Sequence, residues 1–483
     1  MAASRKKKTT PAPKGRYLRR FTLQNVRTFR SEVTLDFCDP NGKVAQWTVI
    51  LGENGTGKTT LLQYLAGMRP YYEEDRLSKT GRIGWVWPSL GDFKWVAWHL
   101  VNLPGEPRSE SKIRAKLEVS VAAEVLGEAA PPPPHQDLID LHVEWESGSE
   151  GLKWRAIGSG LSNTRNFSEE VRIFAYGASR HVASAASPYV SSETFFQNGG
   201  NDPTSTLYHD DYPLISPEQW FLGLDHASNL EGQAGKAARL AFESAKRCLM
   251  SALPGLQNLA VKPLKTGKAQ PVMTLMCNTF FGEVPFSALS VGYRTMAAWL
   301  TDFIKRMHEA YPEMDEPDDG PAVVLIDEFD LHMHPKWQRE AMAALSKEFP
   351  NTQFIVTAHS PLVVQATEGD ARIIVLRRKQ RDDGTEEVEV INDPHYAAGW
   401  RVDQILASDL YDLPPRSPKY DDLMKDRIEL RQKEKRTKAD EKHLAKIEKQ
   451  LDEEAPPESA PGTDKLFAKL ERALDRAEAK EKK

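Results

Sequence analysis

Long apolar segments are absent from this sequence. Its 483 residues are 40% hydrophobic and 28% charged, and no stretch approaches the roughly eighteen apolar residues that a membrane-crossing helix requires. The cluster Arg5 to Lys8 is not followed by an apolar segment, so a secretory signal is not expected. We therefore expect no membrane span and a cytoplasmic location.

Cysteine is also scarce. The chain has three cysteines, Cys38, Cys248 and Cys277, and none of them forms a CxxC pair. This count and spacing exclude a disulfide framework and a cysteine zinc site as the basis of the fold. We expect the three thiols to be reduced and buried.

Sustained heptad repeats are missing from the long middle segment, residues 70–270. A long antiparallel coiled coil would need many such repeats. We therefore predict that residues 70–270 form a compact inserted lobe. Helical periodicity within this segment is clearest between residues 216 and 252.

Basic residues dominate residues 1–16, and prolines interrupt them. This composition predicts a disordered tail. A basic arm that is attracted to phosphate backbones stays an alternative.

Residues 17–69 alternate as strands and then form a helix. Strands are predicted near Leu18–Val26, Val33–Phe37 and Trp47–Leu51, followed by a helix from Lys58 to Met68. The segment 271–413 continues the same domain with a helix over Val291–Ala310. Two uniformly apolar runs follow that helix, Ala322–Ile326 and Phe354–Thr357, and they predict strands buried on both faces.

The last segment, residues 414–483, begins with prolines and becomes highly charged. It predicts a solvated helical extension with a narrow leucine stripe. Thr437 followed by Asp440 is typical of a helix start. One long helix and two antiparallel helices are therefore both compatible with the sequence.

A glycine-rich loop, GENGTGKTT, follows the third predicted strand and precedes the first predicted helix. Backbone N–H groups of such a loop and the N-terminus of the next helix converge on one phosphate. Lys58 is predicted to reach the β- and γ-phosphates, and the Thr59 hydroxyl to bind Mg²⁺. The residues predicted to bind the nucleotide are Gly52, Glu53, Asn54, Gly55, Thr56, Gly57, Lys58, Thr59 and Thr60.

Two adjacent carboxylates, Asp327 and Glu328, end the predicted strand that begins at Ala322. Beside a phosphate-binding loop, Asp327 can hold Mg²⁺ and Glu328 can orient and deprotonate the attacking water. The loop and the acidic pair together predict a site for a nucleoside triphosphate.

Three further motifs carry a family resemblance. Residues 289–294, LSVGYR, resemble the signature of ABC ATPases. Residues 327–335, DEFDLHMHP, resemble the joined Walker B and D-loop segment of the RecF, SMC and OLD group, with Asp330 in the D-loop. His359 matches the switch histidine of that group. Residues 176–180, YGASR, extend the resemblance to the stand-alone AAA-family ATPases of OLD and Septu defence systems.

This resemblance implies an α/β fold: an ABC-type P-loop nucleotide-binding head with a compact inserted lobe and a C-terminal helical extension. It implies ATP and Mg²⁺ as cofactors and a homodimer or higher oligomer. The γ-phosphate of one subunit would meet Ser290 and Gly292 of the other. Glu328 would be the general base and His359 the γ-phosphate sensor.

The resemblance also implies a biological role. A regulatory ATPase of anti-phage defence, which controls a separate effector such as a nuclease, is the favoured hypothesis. A RecF-like clamp that closes on DNA is the alternative, so nucleic acid stays open as a partner. The acidic segment disfavours the ATPase half of a membrane transporter.

Two remaining features have competing interpretations. His332 and His334 form an HxH pair, but spacing marks no third ligand, so a structural role is favoured over a metal site. Arg180 can contact phosphate or nucleic acid, or form a structural salt bridge.

The chain itself is not expected to be a nuclease. OLD-type proteins carry a Toprim domain whose metal site needs clustered carboxylates on a Rossmann-like sheet. After His359, residues 371–413 are too few for such a fold, and the residues from Pro414 onward show no buried strands.

Overall fold

A computed structural model describes the chain in segments. They are residues 15, 17–39, 41–68, 71–73, 84–86, 112–119, 139–148, 151–159, 172–180, 182, 203–264, 272–367, 371–382, 384–393, 400–408, 410–411, 418–433 and 437–454. Most of the predicted tail 1–16 lies outside the described residues.

The strands and helices are numbered in chain order. The strands are β1 (Leu18–Gln24), β2 (Val33–Asp36), β3 (Trp47–Gly52), β4 (Tyr71–Glu73), β5 (Gly84–Val86), β6 (Lys112–Val119), β7 (Ile139–Gly148), β8 (Gly151–Ser159), β9 (Ile173–Tyr176), β10 (Leu256–Leu264), β11 (Val272–Thr279), β12 (Gly282–Pro285), β13 (Ala322–Ile326), β14 (Thr352–Ala358), β15 (Arg372–Gln380) and β16 (Glu386–Asn392). The helices are α1 (Lys58–Gly67), α2 (Ser205–Tyr208), α3 (Pro217–Ser228), α4 (Gln233–Ala252), α5 (Val291–Ala310), α6 (Pro335–Glu348), α7 (Pro361–Gln365), α8 (Val402–Leu406), α9 (Pro418–Gln432) and α10 (Lys438–Glu454).

The centre of the fold is a six-stranded sheet with the order β16-β15-β3-β14-β13-β9. Neighbours from β15 to β9 pair in parallel, and β16 is an antiparallel edge strand. Every residue of β13 and β14 is buried, as the uniformly apolar runs predicted. The predicted α/β fold class is confirmed.

The two faces of this sheet pack against different cores. In β3, Val49 and Leu51 join a core with Trp299 of α5, whereas Ile50 joins a second core with Leu61 of α1. Alternate residues of a strand point to opposite faces, which produces this division. Helices therefore cover both faces, and the carboxyl ends of the strands are left for a site.

The middle segment 70–270 takes part in the sheets of the flanking segments. Strands β6, β7 and β8 extend the antiparallel pair β2 and β1 into a sheet of order β2-β1-β6-β7-β8. Strand β9 completes the central sheet next to β13. These pairings join residues far apart in sequence, and periodicity carries no information on them, so the inserted-lobe boundaries stay a prediction.

A second compact unit covers Leu406–Ser408 and Asp412–Lys483. Its described part is the pair α9 and α10, which shows two helices in place of one long helix. Four buried side chains hold the pair together: Leu430, Leu444, Ile447 and Leu451. Three of these four are leucines of the predicted stripe.

A reciprocal cap starts α10. The Asp440 carboxylate accepts hydrogen bonds from the Thr437 amide at 2.9 Å and the Thr437 hydroxyl at 2.8 Å. The Thr437 hydroxyl in turn accepts from the Asp440 amide at 3.2 Å. The Thr437 amide and the Lys433 ammonium hold the pKa of Asp440 below its usual range. The helix start predicted at Thr437 and Asp440 is confirmed.

Two further features are the burial of the cysteines and the length and apolar character of the described helices. Cys38, Cys248 and Cys277 are buried and form no disulfide, as predicted. None of the described helices is both long and apolar enough for a membrane crossing.

Replacing Thr437 by alanine is expected to loosen the first turn of α10. Loss of such a cap costs about 1 kcal/mol, which corresponds to about five-fold faster local opening. Hydrogen exchange measured by mass spectrometry on peptides covering Asp440 to Leu444 tests this expectation. Lys438→Ala, one residue further on, removes none of the capping bonds and should leave exchange unchanged. Equal rates in the two variants would contradict the capping role.

Candidate nucleotide-binding site

The predicted site residues lie at one edge of the central sheet. Strands β3, β14 and β13 are neighbours, and they are parallel. The glycine-rich loop follows β3, the acidic pair follows β13, and His359 follows β14. Ligands of open α/β sheets bind outside the carboxyl ends of the strands, so this edge brings all three predicted motifs together.

The glycine-rich loop, Gly52–Thr60, curls from β3 into α1. Gly57 precedes the helix with φ +96°, and Gly55 has φ +80°. A Cβ on Gly57 would lie 2.7 Å from the ring of Phe29, so this position requires glycine for both space and backbone conformation. The Thr56 hydroxyl donates to the Glu53 carbonyl at 2.8 Å and closes the loop. The loop is thus held in a closed turn at the start of α1.

Lys58 extends across the inside of this loop. Its Nζ donates to the carbonyl oxygens of Gly52 at 2.7 Å and Glu53 at 3.0 Å. Burial lowers the pKa of the Lys58 ammonium, while the carboxylates of Asp327, Glu328 and Asp330 act in the opposite direction. The ammonium therefore lies close to all three acids of the next motif.

A chain of hydrogen bonds connects the loop to the acidic pair. The Thr59 hydroxyl donates to Asp327 Oδ2 at 2.6 Å, and the Thr357 hydroxyl donates to Asp327 Oδ1 at 2.6 Å. A hydroxyl and a carboxylate side by side are the oxygen ligands that Mg²⁺ prefers. Thr59 and Asp327, predicted as the magnesium ligands, therefore fit that ion. Thr60 points elsewhere, and its hydroxyl accepts from Arg27 Nη1 at 3.2 Å.

Glu328 has an unusual backbone. Its φ is +47°, a left-handed value that costs a residue other than glycine on the order of 1–3 kcal/mol. Its amide donates to the Thr357 hydroxyl at 2.8 Å, and its carbonyl accepts from Arg180. Its side chain is half-buried. The surrounding bonds thus hold Glu328 in a conformation that it would not adopt alone.

Asp330 and His359 are joined directly. The His359 amide donates to Asp330 Oδ2 at 3.0 Å, and the imidazole of His359 is exposed. Gln338 supports both segments, because its Nε2 donates to the Asp330 carbonyl at 3.3 Å and its Oε1 accepts from the Ser360 hydroxyl at 2.6 Å. The D-loop and the segment after β14 therefore form one hydrogen-bonded layer.

The signature residues stand at the start of α5. Ser290 is exposed, and its side chain makes no capping hydrogen bond. A Cβ on Gly292 would lie 2.4 Å from the His332 carbonyl oxygen, so glycine permits this helix to approach the D-loop of the same chain. Among the described residues, Ser290 is exposed and free of a capping bond at the N-terminus of α5.

His332 and His334 have separate local roles. His334 caps α6, since its Nδ1 accepts from the Lys336 amide at 3.3 Å. His332 occupies a left-handed turn with φ +64°. Within the described segments, no group of three His, Cys, Asp or Glu side chains is arranged to hold a metal ion.

Sequence reasoning missed two residues that organise the site, Thr357 and Gln338. Thr357 is a polar residue directly after the apolar residues Phe354–Val356, and that contrast was a usable signal. Gln338 lies on α6 and carries no such signal. The sequence also pointed to Arg180, as a residue that contacts phosphate or nucleic acid or forms a salt bridge. The hydrogen bonds described for its side chain go to backbone carbonyl oxygens.

Two family models match the chain. A family described as "AAA domain, putative AbiEii toxin, Type IV TA system" matches residues 195–365, and one described as "AAA domain" matches residues 20–86. The first range contains Ser290, Asp327, Glu328 and His359, and the second contains the glycine-rich loop.

Curated relatives are similar over parts of their length. The Septu protein PtuA of Bacillus mycoides is 22% identical over 423 residues, which are 85% of this chain and 47% of that protein. The Retron Ec83 probable ATPase of Escherichia coli is 35% identical over 28% of this chain and 23% of that protein. The Retron Vc95 probable ATPase of Vibrio cholerae is 35% identical over 24% of this chain and 19% of that protein. The chain thus spans less than half the length of the curated relatives that it matches.

Solved structures of SMC heads are also similar. The SMC head bound to the C-terminal winged-helix domain of ScpA is 14% identical with a TM-score of 0.43, covering 78% of this chain and 98% of that one. The SMC head domain from Thermotoga maritima is 13% identical with a TM-score of 0.37, and the match covers 78% of this chain and 99% of that one.

The family models cover the residues that the fold brings together at the ends of β3, β13 and β14. The chain therefore carries an AAA-type ATPase domain and is homologous to the Septu protein PtuA and to the retron ATPases.

Proposed function

We propose that this chain binds ATP with Mg²⁺ and hydrolyses it at a site that a second copy of the chain completes. One observation carries the proposal: the Thr59 hydroxyl and the Asp327 carboxylate meet at 2.6 Å beside Lys58 and Glu328. A phosphate-binding loop, a pair of magnesium ligands and a base are the parts that hydrolysis of ATP requires.

Each side chain has a distinct task in this mechanism. The loop amides and Lys58 hold the β- and γ-phosphates, and Thr59 and Asp327 hold Mg²⁺. When bound, Mg²⁺ offsets the negative charge that develops on the transferred phosphoryl group. Glu328 orients the attacking water and takes its proton. His359, next along the sheet edge, contacts the γ-phosphate.

The second copy supplies the remaining contact. A helix N-terminus attracts anions through its dipole and its unpaired amides. Helix α5 has such an N-terminus, and Ser290 there is exposed with a hydroxyl that makes no cap. In the proposed dimer, Ser290 and Gly292 of one copy face the γ-phosphate held by the other. The D-loop residue Asp330 lies beside the same boundary.

The proposed biological role is regulation of anti-phage defence in the cytoplasm. In this role, ATP-dependent closure of the dimer controls a separate effector such as a nuclease. The homology to the retron ATPases and to PtuA supports this role.

Glu328→Gln is expected to abolish turnover while preserving binding. The glutamine keeps the shape of the side chain but cannot take a proton, so hydrolysis should fall about a hundred-fold or more. Affinity for ATP with Mg²⁺ should change little, and isothermal titration beside a phosphate-release assay measures both. Glu340→Gln, at an exposed position of α6, is the matched control and should hydrolyse normally. Wild-type turnover by Glu328→Gln would remove Glu328 from the role of base.

Ser290→Arg tests the composite site. The bulky cation should block the second copy from closing, so hydrolysis should be lost while each isolated subunit still binds ATP. Lys58→Ala should instead weaken binding within its own subunit. A mixture of the two variants contains one intact composite site per heterodimer, combining the loop of the first with the signature of the second.

Size-exclusion chromatography of that mixture with and without ATP provides the measurement. We expect an ATP-dependent dimer in the mixture that neither variant forms alone. A mixture that stays monomeric at saturating ATP would contradict the composite site, provided that the wild-type chain dimerises under the same conditions.

The purified chain is expected to leave DNA intact. Two-metal cleavage needs clustered carboxylates on rigid elements, and the proposal assigns cleavage to a separate effector. Plasmid, linear and single-stranded DNA should survive incubation with ATP and Mg²⁺ or Mn²⁺ on gels. Metal-dependent cleavage that co-purifies with the chain and persists in Glu328→Gln would place nuclease activity in this polypeptide.

A further inference from the structure

Arg180 is a buried cation next to the proposed catalytic site. Arg180 follows the edge strand β9, which pairs with β13. Only 2% of this residue is exposed to solvent. Its own φ is +40°, so the backbone bends sharply to bring the side chain inward. The preceding Gly177 is fixed as well, because a Cβ there would lie 2.1 Å from the Thr206 carbonyl oxygen.

The guanidinium of Arg180 binds three carbonyl oxygens at once. Its Nε donates to Gly177 at 3.0 Å, and its Nη2 donates to Asp327 at 2.6 Å and to Glu328 at 2.5 Å. Only arginine offers donors on separate nitrogens in a rigid planar fork. A lysine ammonium can keep the charge but cannot reproduce this set of directions.

These bonds hold the peptide group of the proposed base from one side. Thr357 holds it from the other side, because its hydroxyl accepts from the Glu328 amide at 2.8 Å. Glu328 between them has the strained φ of +47°. Strained conformations persist where the surroundings determine them from several directions. Among the described residues, the side chains of Arg180 and Thr357 do so here.

The position of the positive charge adds to this effect. Burial lowers the pKa of the Arg180 guanidinium to about 10, while the carboxylates of Asp327, Glu328 and Asp330 oppose that change. Arg180 is therefore charged at neutral pH. It binds the carbonyl oxygen of the Asp327–Glu328 peptide, whereas Thr357 binds the amide of the same peptide.

We propose that Arg180 is a positioning residue for ATP hydrolysis, which fixes the Glu328 peptide group and thereby the direction of the Glu328 carboxylate. The proposal rests on the proposed function of Glu328 as the base. It assigns no contact between Arg180 and the nucleotide. Loss of the fork should therefore lower the rate of the chemical step and leave nucleotide affinity unchanged.

Arg180→Lys separates the fork from the charge. We expect the rate of hydrolysis per bound ATP to fall at least ten-fold in single-turnover experiments, with the Kd for ATP and Mg²⁺ within about two-fold of wild type. Arg306→Lys is the matched control, because Arg306 is another largely buried arginine, and its ion pair is with Asp302 of its own helix α5. That control should hydrolyse at close to the wild-type rate even if its melting temperature falls.

A double-mutant comparison distinguishes positioning from general damage. In a Glu328→Gln background, Arg180→Lys should reduce the residual rate by less than two-fold, because the base that it positions is already gone. An unchanged rate in Arg180→Lys beside an inactive Glu328→Gln would overturn this inference and leave the proposed function standing. An equal ten-fold loss in both backgrounds would also overturn it. Normal hydrolysis by Glu328→Gln would overturn both proposals.

The rate of hydrolysis is expressed per bound ATP, so the comparison stays valid if the variant is less stable than the wild type. Should Arg180→Lys yield no folded protein, Arg180→Gln retains an amide that can donate to one of the carbonyls and takes its place. The same rate, affinity and double-mutant comparison then applies, with the same expected and contradicting results.

Discussion

The Asp327 carboxylate and its two hydroxyl donors form the interaction on which the rest of the site depends. Asp327 is 3% exposed, and a buried carboxylate is costly unless both oxygens are hydrogen-bonded. Thr59 donates to one oxygen and Thr357 to the other, each at 2.6 Å. Thr59 lies in α1, Asp327 directly follows β13 and Thr357 lies in β14, so the bonds fix the glycine-rich loop against the turn that carries the acids.

Opposite charges interact around this centre. The carboxylates of Asp327, Glu328 and Asp330 interact electrostatically with Lys58 of the glycine-rich loop and with Arg180, which follows β9. Two buried cations compensate acids that would otherwise repel one another. In the proposed function, the charge that binds phosphate and the charge that stabilises the turn come from different residues, Lys58 and Arg180. The proposal therefore expects substitutions of the two residues to affect binding and chemistry separately.

The sequence predicted the parts of the site that depend on local order. A glycine-rich loop between strand and helix, and an apolar strand ending in two acids, each define a local geometry, and the helix Val291–Ala310 was predicted with its observed bounds. The pairing of β9 with β13, and of β6 with β1, was not predictable because it joins segments far apart in sequence. The contacts of Arg180 follow from the pairing of β9 with β13, and those of Thr357 with the acidic turn follow from the pairing of β14 with β13, so these contacts emerged only from the structure.

A structure of the Glu328→Gln variant with ATP and Mn²⁺ tests the central claim most directly, since anomalous scattering locates the metal ion. The account predicts Mn²⁺ bound at Thr59 and Asp327 and the γ-phosphate enclosed by Ser290 of a second copy. A metal ion held elsewhere, or a triphosphate that lies away from the glycine-rich loop, would contradict it.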